Sequence, residues 1–181
     1  AKELLHTSAR RTLAGKPSAV IVSDYAKGAI DNAVITLLRA SGALLAADPK
    51  PRNSVDLHGF DILTPNHKEA CELVKADPGT DPRVLVPRLK ERFAVNHLLV
   101  TLGADGMLLA SAGSSQHIPT VAQTVYDVSG AGDTVIAVFV AAVAAGAAPL
   151  EAAVLANRAA GIVVGRVGTA TVSPEDLLEN A

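Results

Sequence analysis

Four short apolar runs, each closing on a polar turn, constrain this chain more than any other feature. They are SAVIVSD (18–24), ALLAADP (43–49), FDILTPN (60–66) and HLLVTLG (97–103). Their residues are apolar at consecutive positions rather than alternate ones. That is the pattern of strands buried on both faces. The spacing predicts helices over 2–14, 29–40, 67–75 and 82–93, with Leu4, Leu5, Ala9 and Leu13 near one face of the first. Residues 106–111 read as a further strand entering a hairpin, and 134–145 and 150–164 as two apolar helices separated by GAAP. Strands alternating with helices imply an α/β fold: a mainly parallel sheet in a three-layer α/β/α arrangement. Ligands of such sheets sit beyond the carboxyl ends of the strands. Asp24, Asp48-Pro49-Lys50, Thr64-Pro65-Asn66 and Thr101-Leu102-Gly103 fall there, although turn residues also end strands for purely local reasons.

A chain of 181 residues with 49% hydrophobic composition is sized for one domain, spanning 1–181, with a substantial core. A net charge of -2 argues against nucleic acid and against an anionic membrane as partner. Cys71 is the sole cysteine, which excludes a disulfide framework and a cysteine-based zinc site within the chain. The longest apolar stretch, 135–145, is too short to span a bilayer. The expectation is a cytoplasmic protein without a signal peptide. The chain begins at Ala1 and its one methionine is Met107, so it reads as processed or as a piece of something longer.

The segment DVSGAGDTV (127–135) is unusual in a different way. Gly130, Ala131 and Gly132 have little side chain to cover the unpaired amides at a helix start. An anion can therefore approach the bare backbone. Asp133 follows at once. A carboxylate repels phosphate, so its use there would be to take a proton from a hydroxyl attacking phosphorus. The same residues also make an ordinary glycine-rich helix entry, with an acid well placed for the helix dipole. No P-loop motif is present. The dinucleotide pattern GxGxxG fails because Val135 holds its third small position.

Other polar positions carry two readings as well. Asn66 and Glu69 have the spacing of a capping box. Thr101, Gly103 and Gly106 read as a strand-to-hairpin turn. A mid-helix residue such as Asn157 is commonly solvated, and so is a lysine placed as Lys50 is. His58, His67, His97 and His117 have no metal-ligand spacing.

Taken together, DVSGAGDTV, VSDYAKGA (22–29), DPKP (48–51), TPNHKEA (64–70) and GTATVSP (168–174) resemble the ribokinase-like (PfkB) carbohydrate kinases. The likeness runs from about Ser18 to the end and departs at Val128, where the common signature has threonine. The branch most similar is the D-glycero-β-D-manno-heptose 7-phosphate kinases, often the kinase half of a bifunctional heptose kinase/adenylyltransferase. The resemblance implies a partial ribokinase-like domain that uses ATP and Mg2+. Its activity would phosphorylate the anomeric hydroxyl of the heptose 7-phosphate, giving the 1,7-bisphosphate used toward ADP-heptose and the lipopolysaccharide core. By position, Asp133 matches the catalytic base, and Gly130, Ala131 and Gly132 the anion hole. Asn66, His67, Lys68 and Glu69 match the Asn-x-x-Glu stretch at ATP and magnesium. Thr101, Gly103, Gly106 and Asn157 match nucleotide-site positions, with no direct protein ligand implied for the metal. Asp127 and Gly168 match a monovalent-cation (K+) site of some relatives. The small-molecule partners implied are ATP and a sugar phosphate. The resemblance also implies an N-terminal half with most of the sugar-binding residues and a lid that mediates homodimers. Two other readings stay open: a PfkB kinase for another sugar or nucleoside, and a non-catalytic nucleotide-binding fragment.

Overall fold

The computed structural model describes residues 2–23, 25, 28–52, 55–122 and 125–179, leaving Asp24 and the 26–27 part of VSDYAKGA outside the described residues. In chain order the elements are α1 (Lys2–Ala14), β1 (Ala19–Ser23), α2 (Asn32–Arg39), β2 (Leu44–Asp48), β3 (Ile62–Leu63), α3 (His67–Leu73), α4 (Pro82–Phe93), β4 (His97–Thr101), β5 (Met107–Ser111), β6 (Ser114–Ile118), α5 (Ala131–Ala144), α6 (Pro149–Val164) and α7 (Pro174–Glu179). The strands form one six-stranded sheet in the order β1-β2-β3-β4-β5-β6. The first four are mutually parallel, and β5 alone runs against the rest.

That order explains the layers. Each parallel strand is added on the same side of its predecessor. Right-handed crossovers then place every connecting helix on one face. α2, α3 and α4 pack there against Val22, Leu45, Ala47, Leu63, Leu98, Val100, Leu108 and Ala110. The alternate strand residues, Ala46, Ile62, Leu99, Met107 and Leu109, face α5 and α6 on the other side. Successive side chains of a strand point to opposite faces, so apolar runs feed both cores. α5 lies over β1 and β2, and α6 over β5 and β6. The chain therefore crosses back over the sheet between β6 and α5.

Several boundaries differ from the sequence expectation. α2 begins at Asn32, because the Asp31 side chain accepts from the Val34 amide at 3.0 Å and caps the helix there. The third apolar run keeps two strand residues; it is interrupted on one side by the Asp61 carboxylate, which accepts from the Leu45 amide at 2.8 Å, and on the other by Pro65, which has no N–H. Leu4 is 76% exposed, off the apolar face of α1, while Leu5 and Leu13 reach the core. α5 starts at Ala131 rather than at 134, and Asp133 lies in its first turn as the sequence suggests. Among the described residues no helix is long and apolar enough to cross a membrane.

Candidate active site

The carboxyl ends of β1 to β4 open beneath the N-terminus of α5. Ser23 and Asp48 are register partners at the ends of β1 and β2. The Thr64 amide continues the ladder by donating to the Ala47 carbonyl at 3.1 Å. Ala46 and Ile62 face the α5 side. Two residues further on, Asp48 and Thr64 face the same side.

At the head of α5 the chain turns through Gly130, whose φ of 82° is left-handed. This turn has no side-chain cap. The Ala131 amide donates to the Val128 carbonyl at 3.2 Å, and the Thr134 amide to the Gly130 carbonyl at 2.9 Å. The amides of Gly132 and Asp133 make no hydrogen bond among the described residues. They are left as donors at the positive end of the helix. A Cβ built on Gly132 would meet nothing within 4 Å, so its surface is open. The Asp133 side chain is exposed, and the Tyr25 hydroxyl donates to its Oδ2 at 3.0 Å. Tyr25 lies within a quoted motif, but its pairing with Asp133 spans 108 positions and has no local signature.

α3 begins on a complete capping box. Asn66 Oδ1 accepts from the Glu69 amide at 2.9 Å, and Glu69 Oε2 from the Asn66 amide at 2.9 Å. The remaining oxygen, Glu69 Oε1, accepts from Lys50 Nζ at 2.6 Å. The same ammonium donates to Asp48 Oδ2 at 2.9 Å. Lys50 is therefore half-buried and clamped, contrary to the solvent-facing placement that its position suggests. Burial, with Glu69 and Asp133 nearby, pushes the Asp48 carboxyl up despite Lys50. Burial opposes the Lys50 charge, yet its hydrogen bonds to Glu69 and Asp48 outweigh that and raise it. His67 turns away from this cluster: its Nε2 lies 2.8 Å from the Thr80 carbonyl. Lys68 is exposed.

Beside the head of α5 a cavity of about 320 Å³ is bounded by Thr101, Gly103, Gly106, Gly132 and Asn157, with apolar walls that include Met107 and Val164. With Ala131, which also lines it, six sequence candidates from three separate segments thus meet in one hollow. Asn157 is 5% exposed and donates to the Pro119 carbonyl at 2.7 Å, which removes the solvated-surface reading and leaves it at the wall of the cavity. Gly106 has φ of 84°, and a Cβ there would lie 2.1 Å from the Ile118 carbonyl oxygen. The chain leaving β6 passes too close for any other residue. Asn66, His67, Lys68, Glu69 and Asp133 are not part of this cavity's lining.

Asp127 lies three residues before the Gly130 turn. Its Oδ1 accepts from the Ser129 amide at 2.8 Å. That amide above all, with the Ser129 hydroxyl and the Gly168 amide, holds its carboxyl below the usual range. The structure thus brings Asp127 to Gly168. Among the described residues no group of three His, Cys, Asp or Glu side chains is arranged to hold a metal directly.

Residues 2–176 match the pfkB family carbohydrate kinase family. The bifunctional protein HldE of Rhodospirillum rubrum is 46% identical over 167 residues, covering 88% of this chain and 34% of that protein. HldE of Edwardsiella ictaluri is 48% identical over 169 residues, covering 90% and 35%. The chain thus spans about a third of the length of the curated relatives it matches. Among solved structures, the ribokinase of Thermotoga maritima superposes with a TM-score of 0.79 at 25% identity, over 93% of this chain and 58% of that one. The sheet order, the layers and these matches place the fold as ribokinase-like, and the chain belongs to the pfkB family of carbohydrate kinases.

Proposed function

We propose that this chain is the nucleotide-binding and base-bearing part of an ATP-dependent kinase acting on the anomeric hydroxyl of a sugar phosphate, D-glycero-β-D-manno-heptose 7-phosphate, to give the 1,7-bisphosphate. The observation that carries the reading is the head of α5, where two unengaged amides and the Asp133 carboxylate stand side by side. Donors fixed before the reaction stabilise charge developing on a transferred phosphoryl group. Asp133, exposed beside them, is positioned to accept the proton of an attacking hydroxyl. Tyr25 orients that carboxylate. The cavity under Asn157, with a few polar groups in apolar walls, suits the flat, weakly polar ring of a nucleotide base.

Mg2+ is the metal that this reading implies. The nearby side chains offer oxygen donors only: Asp48, Asn66, Glu69 and the Thr64 hydroxyl, which is buried without a hydrogen-bond partner among the described residues. Hard oxygen donors in a set too sparse to cage an ion fit Mg2+, which keeps waters and binds largely through substrate phosphates. Bound there with ATP, it would neutralise charge on the phosphate chain. Glu69 and Asp48 would hold its waters. Asp127 with Gly168 is the place for a monovalent ion such as K+.

The heptose preference rests on the likeness of DPKP, TPNHKEA and GTATVSP to one branch of the family. The test is a phosphoryl-transfer assay on the parent-length protein, with heptose 7-phosphate set against ribose, fructose 6-phosphate and adenosine. The expected result is transfer to the heptose alone at the highest kcat/KM. Faster transfer to another acceptor would replace the substrate, and no transfer to any of them would remove the kinase reading.

A further inference from the structure

Lys50 is the one cation hydrogen-bonded to the carboxylates at the strand ends, among the described residues. It is shared by two of them, Asp48 and Glu69, and Asp133 adds a third negative charge to the same neighbourhood. Among the described residues, one ammonium against three carboxylates leaves the cluster short of positive charge. Beside it, the Thr64 hydroxyl is buried, 6% exposed as a residue, and makes no hydrogen bond among the described residues. Strand alternation aims it to the same side as Asp48, one strand away. A buried hydroxyl without a protein partner is the mark of a place that water or an ion's hydration shell completes. The capping box fixes Glu69 by its other oxygen, so Oε1 is held in position whether or not Lys50 is there.

We propose that Lys50 is a resident counter-ion, which a hydrated divalent cation displaces from Asp48 and Glu69, leaving the ammonium to turn toward the phosphate chain. The proposal rests on the magnesium-nucleotide reading above. It goes beyond that reading in giving Lys50 two partners in succession. No covalent step is involved, because the exchange moves charge between carboxylates. The arrangement has a physical rationale. Two half-buried carboxylates that wait for a metal destabilise the metal-free protein unless a cation lies between them. A cation too firmly held would exclude the metal. A lysine on a flexible stem meets both needs, because its charge is a mobile point rather than a rigid fork.

The experiment titrates Mn2+ alone, without nucleotide, into this chain, reading free Mn2+ by electron paramagnetic resonance. Lys50→Met is expected to tighten Mn2+ binding by about tenfold or more, since a positive charge within hydrogen-bond distance of the site is gone. Asp48→Asn is expected to weaken it by a similar factor. A folded Lys50→Met with Mn2+ affinity within about twofold of the wild type would overturn the proposal. Should Lys50→Met fail to fold, the wild type decides. Amine labelling at Lys50, mapped by mass spectrometry, is expected to rise severalfold at saturating Mg2+ and not at equal ionic strength of Na+. Labelling indifferent to Mg2+ would overturn it. These readouts need no turnover, so absent kinase activity with metal-dependent release of Lys50 would sink the proposed reaction and leave the counter-ion role standing.

Discussion

The Tyr25 hydroxyl donates to Asp133 Oδ2 at 3.0 Å, joining the segment after β1 to the first turn of α5. The bond fixes the direction of the carboxylate. In the parent-length protein, Asp133→Asn is expected to cut turnover by about 10² to 10⁴, the usual scale for a general base, with ATP binding nearly unchanged. Tyr25→Phe is expected to cost less, about tenfold, because it frees the carboxylate without removing it. Steady-state kinetics on both variants make the check. Turnover of Asp133→Asn within a few-fold of the wild type would remove this residue from the mechanism.

Asn157 carries a second expectation. Its Nδ2 donates to the Pro119 carbonyl at 2.7 Å from a position only 5% exposed. Asn157→Asp replaces that donor with a charge facing a carbonyl. The loss of a buried hydrogen bond with one partner left behind costs about 1–3 kcal/mol. For a domain of this size that is a fall in Tm of roughly 2–12 °C. The nucleotide cavity shares this wall, so ATP affinity should fall as well. A thermal melt together with an ATP titration tests it. An unchanged melt would mean that the Pro119 contact contributes nothing.

The layered fold was legible because apolar runs without alternation have few alternatives to a two-sided sheet. Strand order was not, since it depends on pairings between distant segments that no local pattern encodes. The same division runs through the site. The head of α5 could be read from Gly130 to Asp133, because its chemistry is contiguous. The capping box of Asn66 and Glu69 was equally visible. The Lys50 clamp was not, because Glu69 lies 19 positions away and a lysine following Asp-Pro has no feature that marks it as buried. The burial of Asn157 has no local signature either, its partner being 38 positions away; only the family resemblance marks it for the nucleotide site. α7 carries a local signal in Ser173-Pro174 and Asp176: Ser173 and Asp176 exchange side-chain and backbone bonds around Pro174 at the helix start.

α7 also supplies a pH expectation. Arg166 first, and then the Ser173 amide, holds the Asp176 carboxyl below its ordinary value of 3.8. A depressed folded value stabilises the folded form above the unfolded pKa. That contribution is lost as pH falls from about 3.8 through the lower folded value. Both partners are solvent-exposed enough that the effect is local and screened by salt. Protection of the amides in 174–179, relative to intrinsic exchange at the same pH, should therefore fall below about pH 3.8 in the wild type. In Asp176→Asn that protection should be low already at neutral pH and change little on acidification. Identical pH profiles for the two proteins would mean that Asp176 does not hold α7.

Gly130 and Gly132 stand two residues apart in the same loop and should separate folding from chemistry. Gly130 has a left-handed φ of 82°, which a β-branched residue adopts only under strain. Gly130→Val should lower Tm, at a cost of roughly 1–3 kcal/mol. Gly132 has no such conformation, and a Cβ there meets nothing within 4 Å. Gly132→Val therefore adds only the modest cost of a branched residue in a first helical turn, a few tenths of a kcal/mol to about 1. Its branches nevertheless stand beside the Gly132 and Asp133 amides, where the proposed phosphoryl group must approach. Removing one donor of this kind costs about 10² to 10³ in rate. The expected pattern is thus a stable but slow Gly132→Val and an unstable Gly130→Val, read from melting curves and turnover measured on the same preparations. A rate loss in Gly132→Val that unfolding accounts for entirely would defeat the assignment of these amides to the phosphoryl group. Full activity in that variant would place the phosphate elsewhere.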